Sequence, residues 1–264
     1  MSFGNILGQL FQDGLGQSQH SRNRIETAGQ NLDAGGGIEG IFDQIQDALT
    51  QSDNGTGGDA GADAGGGLAD RARTFLREEQ VAGLSGRQAV GIGAAAGALL
   101  GGGLKGAARG GALAVLGTLA LGALKKSQAQ QDADAAGPSP DEVRAVTGPG
   151  TEQLILRAMI NAAKADGKID GAEIGKIIGR LSADEATEAE KRFVTEEMDK
   201  PIDIAGLAAQ VRSPAQAAEV YAATLFTIHV DTPEEQAYLR TLAPALGLDA
   251  GTVAELHRLT GAPV

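Results

Sequence analysis

The chain has no cysteine and no tryptophan, and aromatic residues make up only 3% of its 264 residues. Without cysteine it cannot form disulfides, thiolate zinc sites or a cysteine nucleophile. The shortage of aromatic side chains argues against one large, well-packed globule over the whole length. We therefore expect only part of the chain to fold compactly.

Positive charge is also scarce: 22 lysines and arginines face 34 aspartates and glutamates, which gives a net charge of −12. Such a chain repels phosphate backbones, so we expect no nucleic-acid partner. The three histidines, His20, His229 and His257, are too few for a zinc site, and no nucleophile elbow or phosphate-binding glycine loop is present. We therefore expect a non-enzymatic protein, with His229 as a histidine at a helix terminus.

Glycine is abundant, and most of the 40 glycines precede residue 125. Apolar residues at helical spacing (Phe3, Ile6, Leu7, Leu10 and Phe11) predict a short amphipathic helix over 1–15. This helix either docks on the protein's own surface or anchors it to a membrane or a partner. No signal-peptide pattern is present, so we expect the N-terminus to stay in the cytosol. Residues 16–67 are rich in Gly, Asp and Gln and are predicted to be largely disordered.

A helix and an apolar block are predicted over 68–126. The block has two uncharged halves, Ala89 to Leu104 and Gly110 to Leu124, joined through Lys105 and Arg109. Glycines recur every four residues in two glycine-zipper sets: Gly93, Gly97 and Gly101, then Gly102, Gly106 and Gly110. This pattern predicts a close-packed helical hairpin. The hairpin either associates with a membrane, although each half is shorter than a full span, or serves as a soluble self-association stalk.

Residues 127–147 read as a linker, and 148–264 as an all-α bundle of about seven helices. Each predicted helix start has a capping residue, followed by apolar residues at a spacing of three and four. The predicted caps are Thr151, Asp170, Ser182, Asp203, Ser213, Asp231 and Asp249. Gly261 is predicted to end the last helix.

Two acidic helix starts are the candidate site. Asp166, Asp170 and Glu173 share a helix face by spacing, and Asp231 and Glu234 could approach them from the other half of the domain. Five converging carboxylates would suit Ca²⁺ or Mg²⁺. The alternative is that Asp170 with Glu173, and Asp231 with Glu234, are N-terminal capping boxes, each stabilising its helix by about 1 kcal/mol.

The run Lys164-Ala-Asp-Gly-Lys-Ile-Asp-Gly-Ala-Glu173 resembles the first acidic helix start of TerB-like (tellurite-resistance-type) domains, and residues 228–248 resemble their second. With the upstream apolar block, the chain is similar to the YebE-type family of uncharacterised bacterial inner-membrane proteins. The resemblance implies a pseudo-repeated helical domain, divalent-metal binding at the acidic starts and a link to envelope or metal stress. The second motif departs from the first: Thr227 and Ile228 align with Asp166 and Gly167.

Two functional hypotheses follow. In the first, a protein associated with the bacterial inner membrane displays a cytosolic TerB-like domain that binds a metal or a protein partner. In the second, a soluble cytoplasmic homo-oligomer uses the glycine-rich block as its self-association stalk. Metal-dependent hydrolysis at the carboxylates ranks third.

Overall fold

The computed structural model describes residues 3, 6, 7, 24, 27, 28, 30, 31, 107–129, 139–148, 150–166 and 186–263. Over these residues the fold is all-helical, as predicted, and contains no strand. The helices of this part are α1 (Ala107–Ala129), α2 (Pro140–Thr147), α3 (Thr151–Asp166), α4 (Glu188–Asp199), α5 (Ile204–Ala208), α6 (Pro214–Thr227), α7 (Pro233–Ala245) and α8 (Ala250–Thr260).

Helix α6 is the centre of the bundle. It contacts α1, α2, α3 and α8, and from Ala217 to Thr227 every one of its side chains is buried. A helix that is buried all round must be surrounded by other helices. Several of its residues are alanines, whose small side chains allow the neighbouring helices to approach closely.

Helix α1 lies inside this bundle, against α6 and α8. Leu116, Leu119 and Ala120 on it are fully buried. Ser127 near its end donates a 2.9 Å hydrogen bond to the Asp249 carboxylate, and Lys126 forms a 3.4 Å ion pair with Glu255. The second half of the apolar block is therefore a core helix of the domain.

This placement differs from the predicted domain division, which put 110–124 in a hairpin ahead of the bundle. The apolar side chains of this half are covered by α6 and α8 of the same chain. The first half, Ala89 to Leu104, lies outside the described residues, so the pairing of the two halves stays a prediction. Among the helices that the structure describes, none combines the length and the apolar character needed to cross a bilayer.

Helix α2 occupies part of the predicted linker. Ser139 caps it in a capping box with Glu142, and Pro140 takes the first helical position. Val143 and Val146 are buried, and the helix contacts α1, α3 and α6. The predicted start of the compact domain at 148 therefore leaves out two helices that belong to its core.

The caps predicted at Asp203, Ser213 and Asp249 are confirmed, as is Gly261 in a left-handed conformation after α8. Three other predicted starts are wrong, namely those at Thr151, Ser182 and Asp231. Thr151 is already the first residue of α3, and its hydroxyl donates to the Ala145 carbonyl at 3.2 Å.

The second wrong start concerns α4. Ser182 and Glu185 predict its capping box, but Thr187 and Glu190 form it. Ser182, Glu185 and the helix predicted after Asp170 lie outside the described residues.

The few residues of the N-terminal segment that the structure describes, between 3 and 31, lie against the bundle. Phe3, Ile6 and Leu7 are buried in its core, which is one of the two predicted alternatives for this stretch. Arg24 and Asn31 are helical and hydrogen-bond to the bundle, although they fall in the range predicted to be disordered. Their partners are backbone carbonyls far along the chain, which no local pattern reveals.

Candidate functional site

The connection between α6 and α7 carries one half of the predicted acidic site. In it, His229 Nδ1 donates to Asp231 Oδ2 at 2.6 Å, and the two side chains are 32% and 48% exposed. Carboxylate oxygens and imidazole nitrogens are both common ligands of divalent cations. The connection therefore presents metal-binding atom types to solvent.

The backbone of this connection is held in an unusual conformation. Val230 has a φ of 52°, a left-handed value that is rare for a β-branched residue. The buried carboxylate of Glu235 accepts hydrogen bonds from the amides of Asp231 (2.6 Å) and Thr232 (2.8 Å). These bonds fix the turn that places His229 and Asp231 side by side.

Arg24 of the N-terminal segment lies under the same connection. Its guanidinium donates to the carbonyls of Leu225, of Ile228 at 2.5 Å and of His229 at 3.0 Å, and only 3% of the residue is exposed. The last carbonyls of a helix lack partners within the helix and favour positive charge. Arg24 therefore stabilises the C-terminal end of α6 and the start of the connection.

The predicted capping box at Asp231 and Glu234 is wrong by one residue. Thr232 is the cap of α7, Pro233 is its first residue, and Glu235 closes the box. Proline suits the first helical position, because its missing N–H would have no partner there. Asp231 and Glu234 are exposed and are not the capping pair.

The other predicted site residues are only partly described. Asp166 is the last residue of α3, and its side chain lies outside the described set, as do Asp170, Glu173, Gly93, Gly97, Gly101, Gly102 and Gly106. Gly110 lies near the start of α1. Within the described residues, no three or more acidic or histidine side chains are grouped so as to hold a metal ion. The convergence of all five carboxylates thus stays a prediction.

Glu219 is a feature that sequence reasoning missed. It lies in the middle of α6 and is fully buried, and among the described residues neither of its carboxylate oxygens has a hydrogen-bond partner. Burial raises the pKa of this carboxyl well above its usual value. Its only signal in the sequence is a single acid in an alanine-rich helix.

A second buried polar feature, a hydrogen-bonded pair of side chains, joins α6 to the C-terminal residues. His257 Nδ1 donates to the Pro263 carbonyl at 2.6 Å, so its Nε2 accepts the Tyr221 hydroxyl at 3.0 Å. Burial lowers the pKa of His257 and raises that of Tyr221 to about 12, which favours the neutral form of both. The pair ties residue 263 to the core.

A cluster of charges joins α3 to α4. Arg157 donates to Glu197 at 3.0 Å, and Lys200 donates to the same oxygen at 2.6 Å. Burial acts to raise the pKa of Glu197, but hydrogen bonds from Lys200 and Arg157 outweigh it and lower the pKa. Lys164 donates to the carbonyls of Glu197 and Lys200 at the end of α4.

Comparison with known proteins gives one match. The model of a family described as "Protein of unknown function (DUF533)" matches residues 83–260, which include all eight described helices. No curated protein and no solved structure matches the chain.

Proposed function

The chain belongs to the DUF533 family. From the acidic helix starts, the upstream apolar block and the arrangement of the helices, we propose a non-enzymatic, membrane-associated protein. Its TerB-like bundle faces the cytosol at the bacterial inner membrane, where it binds a protein partner in the response to envelope or metal stress. The TerB-like and YebE-type assignments rest on the acidic helix starts and on the apolar block upstream of them.

The observation that carries the proposal is the position of α1. The uncharged stretch 89–104 ends two residues before α1 begins at Ala107, and α1 is a core helix of the bundle. Only Lys105 and Gly106 separate the two. The bundle therefore lies directly beside the environment in which the uncharged stretch is placed.

Membrane uptake of this stretch fits its composition. It is uncharged for sixteen residues and is flanked by Arg87 and Lys105, whose long side chains can reach the headgroups from a shallow position. Sixteen residues are fewer than the ~20 of a full span, so we propose that the stretch dips into the bilayer. An exposed apolar segment of this size in water would promote aggregation.

Several acids of the bundle have structural roles. Glu235 holds the start of α7, Glu197 joins α3 to α4, and Asp249 caps α8. Hydrogen bonds, chiefly from the Thr252 side chain, lower the pKa of Asp249 to about 2. Carboxylates fixed in this way support a rigid scaffold that offers its outer surface to a partner.

Carbonate extraction of membranes containing the full chain tests the proposal. We expect the wild-type protein to stay in the pellet and Leu99→Glu with Leu100→Glu to be released, because two charges make bilayer burial costly. As a control, Ala209→Glu with Ala254→Glu adds the same charge to exposed positions of the bundle and should pellet like the wild type.

A wild-type chain that carbonate releases completely would contradict membrane association. If that released chain is oligomeric without detergent, the soluble self-associating alternative is favoured.

Divalent-cation binding is a second candidate function, and the register of the α7 cap favours it. Asp231 and Glu234 do not cap α7, because Thr232 and Glu235 form its capping box. Asp231, which accepts the His229 hydrogen bond, and Glu234 are therefore exposed carboxylates outside the cap, at a position where the TerB-like resemblance implies a metal. Their oxygens suit Ca²⁺ or Mg²⁺, with Asp166, Asp170 and Glu173 completing the predicted ligand set.

Calorimetric titration of the full chain with Ca²⁺ and Mg²⁺ tests this second function. We expect saturable binding that Asp170→Asn and Asp231→Asn each abolish and that Thr232→Ala, which removes only a cap, leaves in place. Titrations that show no saturation, or equal loss of affinity in Thr232→Ala, would exclude the site.

A further inference from the structure

Four residues of the N-terminal segment form a face that lies against the bundle. Arg24, Thr27, Ala28 and Asn31 are helical, and their spacing of three and four residues places them on one side of a helix. Arg24 is 3% exposed and Ala28 is fully buried. We call these four residues the docked face of the segment.

The docked face contacts the C-terminal ends of α6 and α8. Arg24 donates to the Ile228 carbonyl at the end of α6, at 2.5 Å. Asn31 Nδ2 donates to the carbonyls of Arg258 and Leu259 near the end of α8, both at 3.1 Å. The last carbonyls of a helix lack partners within the helix. The docked face therefore helps to satisfy two helix ends that are distant in sequence.

These contacts lie on both sides of one buried histidine. His257 is in the last turn of α8, directly before the two residues whose carbonyls bind Asn31. On its other side in the sequence, a Cβ built on Gly261 would lie 2.9 Å from the Thr27 side chain. His257 itself is only 4% exposed. The segment therefore packs directly around the turn that carries the imidazole.

Hydrogen bonds hold this imidazole in its neutral form. Nδ1 of His257 donates to the Pro263 carbonyl at 2.6 Å, which leaves Nε2 to accept the Tyr221 hydroxyl at 3.0 Å. A proton added to Nε2 would turn this acceptor into a donor that points at another donor. The hydroxyl proton would then need a new acceptor in a buried place, so the docked structure disfavours the imidazolium.

A positive charge of the docked face acts on the same imidazole. Arg24 donates to the carbonyl of Leu225, which lies one helical turn beyond Tyr221 on α6. The arginine and the histidine thus reach neighbouring turns of one helix. Burial lowers the pKa of His257 and the Arg24 charge lowers it further, which together outweigh the opposite effect of the hydrogen bond to Pro263.

Other charged groups on the helices packed here do not cancel this repulsion. On α8 itself, Glu255 accepts from Arg258 at 2.9 Å and pairs with Lys126 of α1 at 3.4 Å. On α6, Glu219 lies two residues from the tyrosine that binds His257, and so on the opposite side of that helix. Burial also raises the pKa of Glu219, which favours its neutral form.

We propose that His257 makes the docking of the N-terminal segment sensitive to acid: protonation of its imidazole releases the docked face from the ends of α6 and α8. Coupling between two sites is reciprocal, so the proton that Arg24 disfavours also disfavours the binding of Arg24. Once the segment has left, the imidazole lies at an open helix C-terminus, which favours positive charge. Because Arg24 also donates to the His229 carbonyl, release frees the connection between α6 and α7.

The sign of the pH dependence follows from the lowered pKa of His257. The released state takes up the proton more readily than the docked state, so docking is strongest above pH ~6.5, the ordinary pKa of histidine. As the pH falls below this value, the ratio of released to docked segment should increase by up to about tenfold per pH unit.

The reaction of a buried thiol measures the released fraction. The chain has no cysteine, so Ala28→Cys places a single thiol on the docked face. The full chain, in detergent if it requires it, reacts with a disulfide reagent at a series of pH values. Each rate is divided by that of the same chain unfolded in urea, which removes the pH dependence of the thiol itself. We expect the normalised rate to rise about tenfold or more between pH ~6.5 and pH ~5.

Two further single cysteines show where the change occurs. Gln30→Cys is exposed on the same segment, and its normalised rate should not depend on pH. Ala222→Cys is buried in α6 and should stay protected, because the bundle remains folded. Equal increases for Ala28→Cys and Ala222→Cys would mean that the whole bundle unfolds, and would overturn the release.

Histidine variants in the Ala28→Cys protein identify the group that titrates. His257→Gln should abolish the rise at acid pH, whereas His20→Gln and His229→Gln should retain it. The absence of a rise in the Ala28→Cys protein, or a rise that persists in His257→Gln, would overturn the proposal. Loss of the rise in His20→Gln or His229→Gln alone would do the same.

Matched arginine variants keep the test informative if His257→Gln fails to fold. Arg24→Gln should weaken docking at every pH but make the rise at acid pH smaller, because it removes the charge that repels the imidazolium. Arg240→Gln, an exposed arginine on α7, should leave both unchanged. An equal rise in the two variants would contradict the coupling. None of these results bears on whether the chain pellets with membranes, so the two proposals fail separately.

Discussion

At the scale of single residues, Glu219 differs from the other buried acids because no hydrogen-bond donor from the described residues offsets the cost of burying it. Other buried acids of the bundle have donors: Glu197 is held by Arg157 and Lys200, and Glu235 by backbone amides. Glu219 has no donor in the part of the chain that the structure describes, and a buried carboxylate without a donor is costly. The folded protein therefore favours the protonated form of Glu219.

The raised pKa of Glu219 predicts the sign of its effect on stability. Because the folded state binds this proton more tightly than the unfolded state, the stabilisation is fully present below the unfolded pKa, about 4.3 for Glu. It is lost as the pH rises toward the folded value, at about 1.4 kcal/mol per pH unit. We expect Glu219→Gln to melt several degrees higher than wild type at pH 7 and at the same temperature near pH 4.

Thermal unfolding followed by circular dichroism over this pH range measures the effect. Glu196→Gln makes the same substitution at an exposed position and should not alter the pH dependence. A Glu219→Gln protein that is less stable than wild type at pH 7 would mean that the carboxylate has a partner in solution.

Sequence reasoning could not find Glu219 or the Tyr221 and His257 pair, because both depend on which helices surround α6 and α8. Spacing along the chain predicts which residues share a face of one helix, but not what that face contacts. The proximity of His229 and Asp231 is visible in the sequence, because they are two residues apart. The role of Arg24 is not, because its acceptors lie about 200 residues away.

At the scale of helices, three starts share one pattern: Ser or Thr, then Pro, any residue, and Glu or Gln. It occurs at Ser139 before α2, Ser213 before α6 and Thr232 before α7. In each, the hydroxyl oxygen accepts from the amide three residues later. The proline fixes the register, which is why the cap falls on Thr232 and not on Asp231.

Cap substitutions test this register. Thr232→Ala removes the acceptor for the Glu235 amide and should destabilise the protein by about 1 kcal/mol. Asp231→Asn should cost clearly less in the absence of metal, because Asp231 is not the cap. Urea unfolding of the two variants gives the comparison, and a larger loss for Asp231→Asn would refute the assignment.

The same pattern shows how much of the helical structure was predictable. Ser213-Pro214 identified the start of α6 correctly, whereas the equivalent Ser139-Pro140 was assigned to a linker because its surroundings are polar and short of apolar residues. Two capping boxes are possible near 182–190, and the sequence alone does not choose between them. Ser182 with Glu185 and Thr187 with Glu190 have the same spacing. Local chemistry predicts that a helix starts in a region, and packing selects the residue.

At the scale of the whole molecule, the main difference from the sequence prediction is the division of the apolar block. Both halves are uncharged and glycine-rich, so their composition does not distinguish them. In the structure, α1 carries the second half into the core, where Leu116 and Leu119 pack in a bundle built around α6. The all-α class was predictable from helix periodicity, whereas the membership of α1 depends on long-range contacts.

The central claim is that the two halves have different environments: 89–104 in the bilayer and α1 in the bundle core. Because the natural chain has no cysteine, single cysteines report on each half separately. Leu100→Cys lies in the first half, Leu116→Cys in α1, and Ala254→Cys is an exposed control. Each is treated in native membranes with a water-soluble maleimide, first in buffer, then in urea, then in urea with detergent.

The most direct measurement is the extent of labelling in urea without detergent. The account predicts that Ala254→Cys reacts in buffer, that Leu116→Cys reacts once urea unfolds the bundle, and that Leu100→Cys reacts only after detergent is added. Labelling of Leu100→Cys in urea alone would contradict its burial in the bilayer. A Leu116→Cys protein that also requires detergent would contradict the placement of α1 in the bundle core.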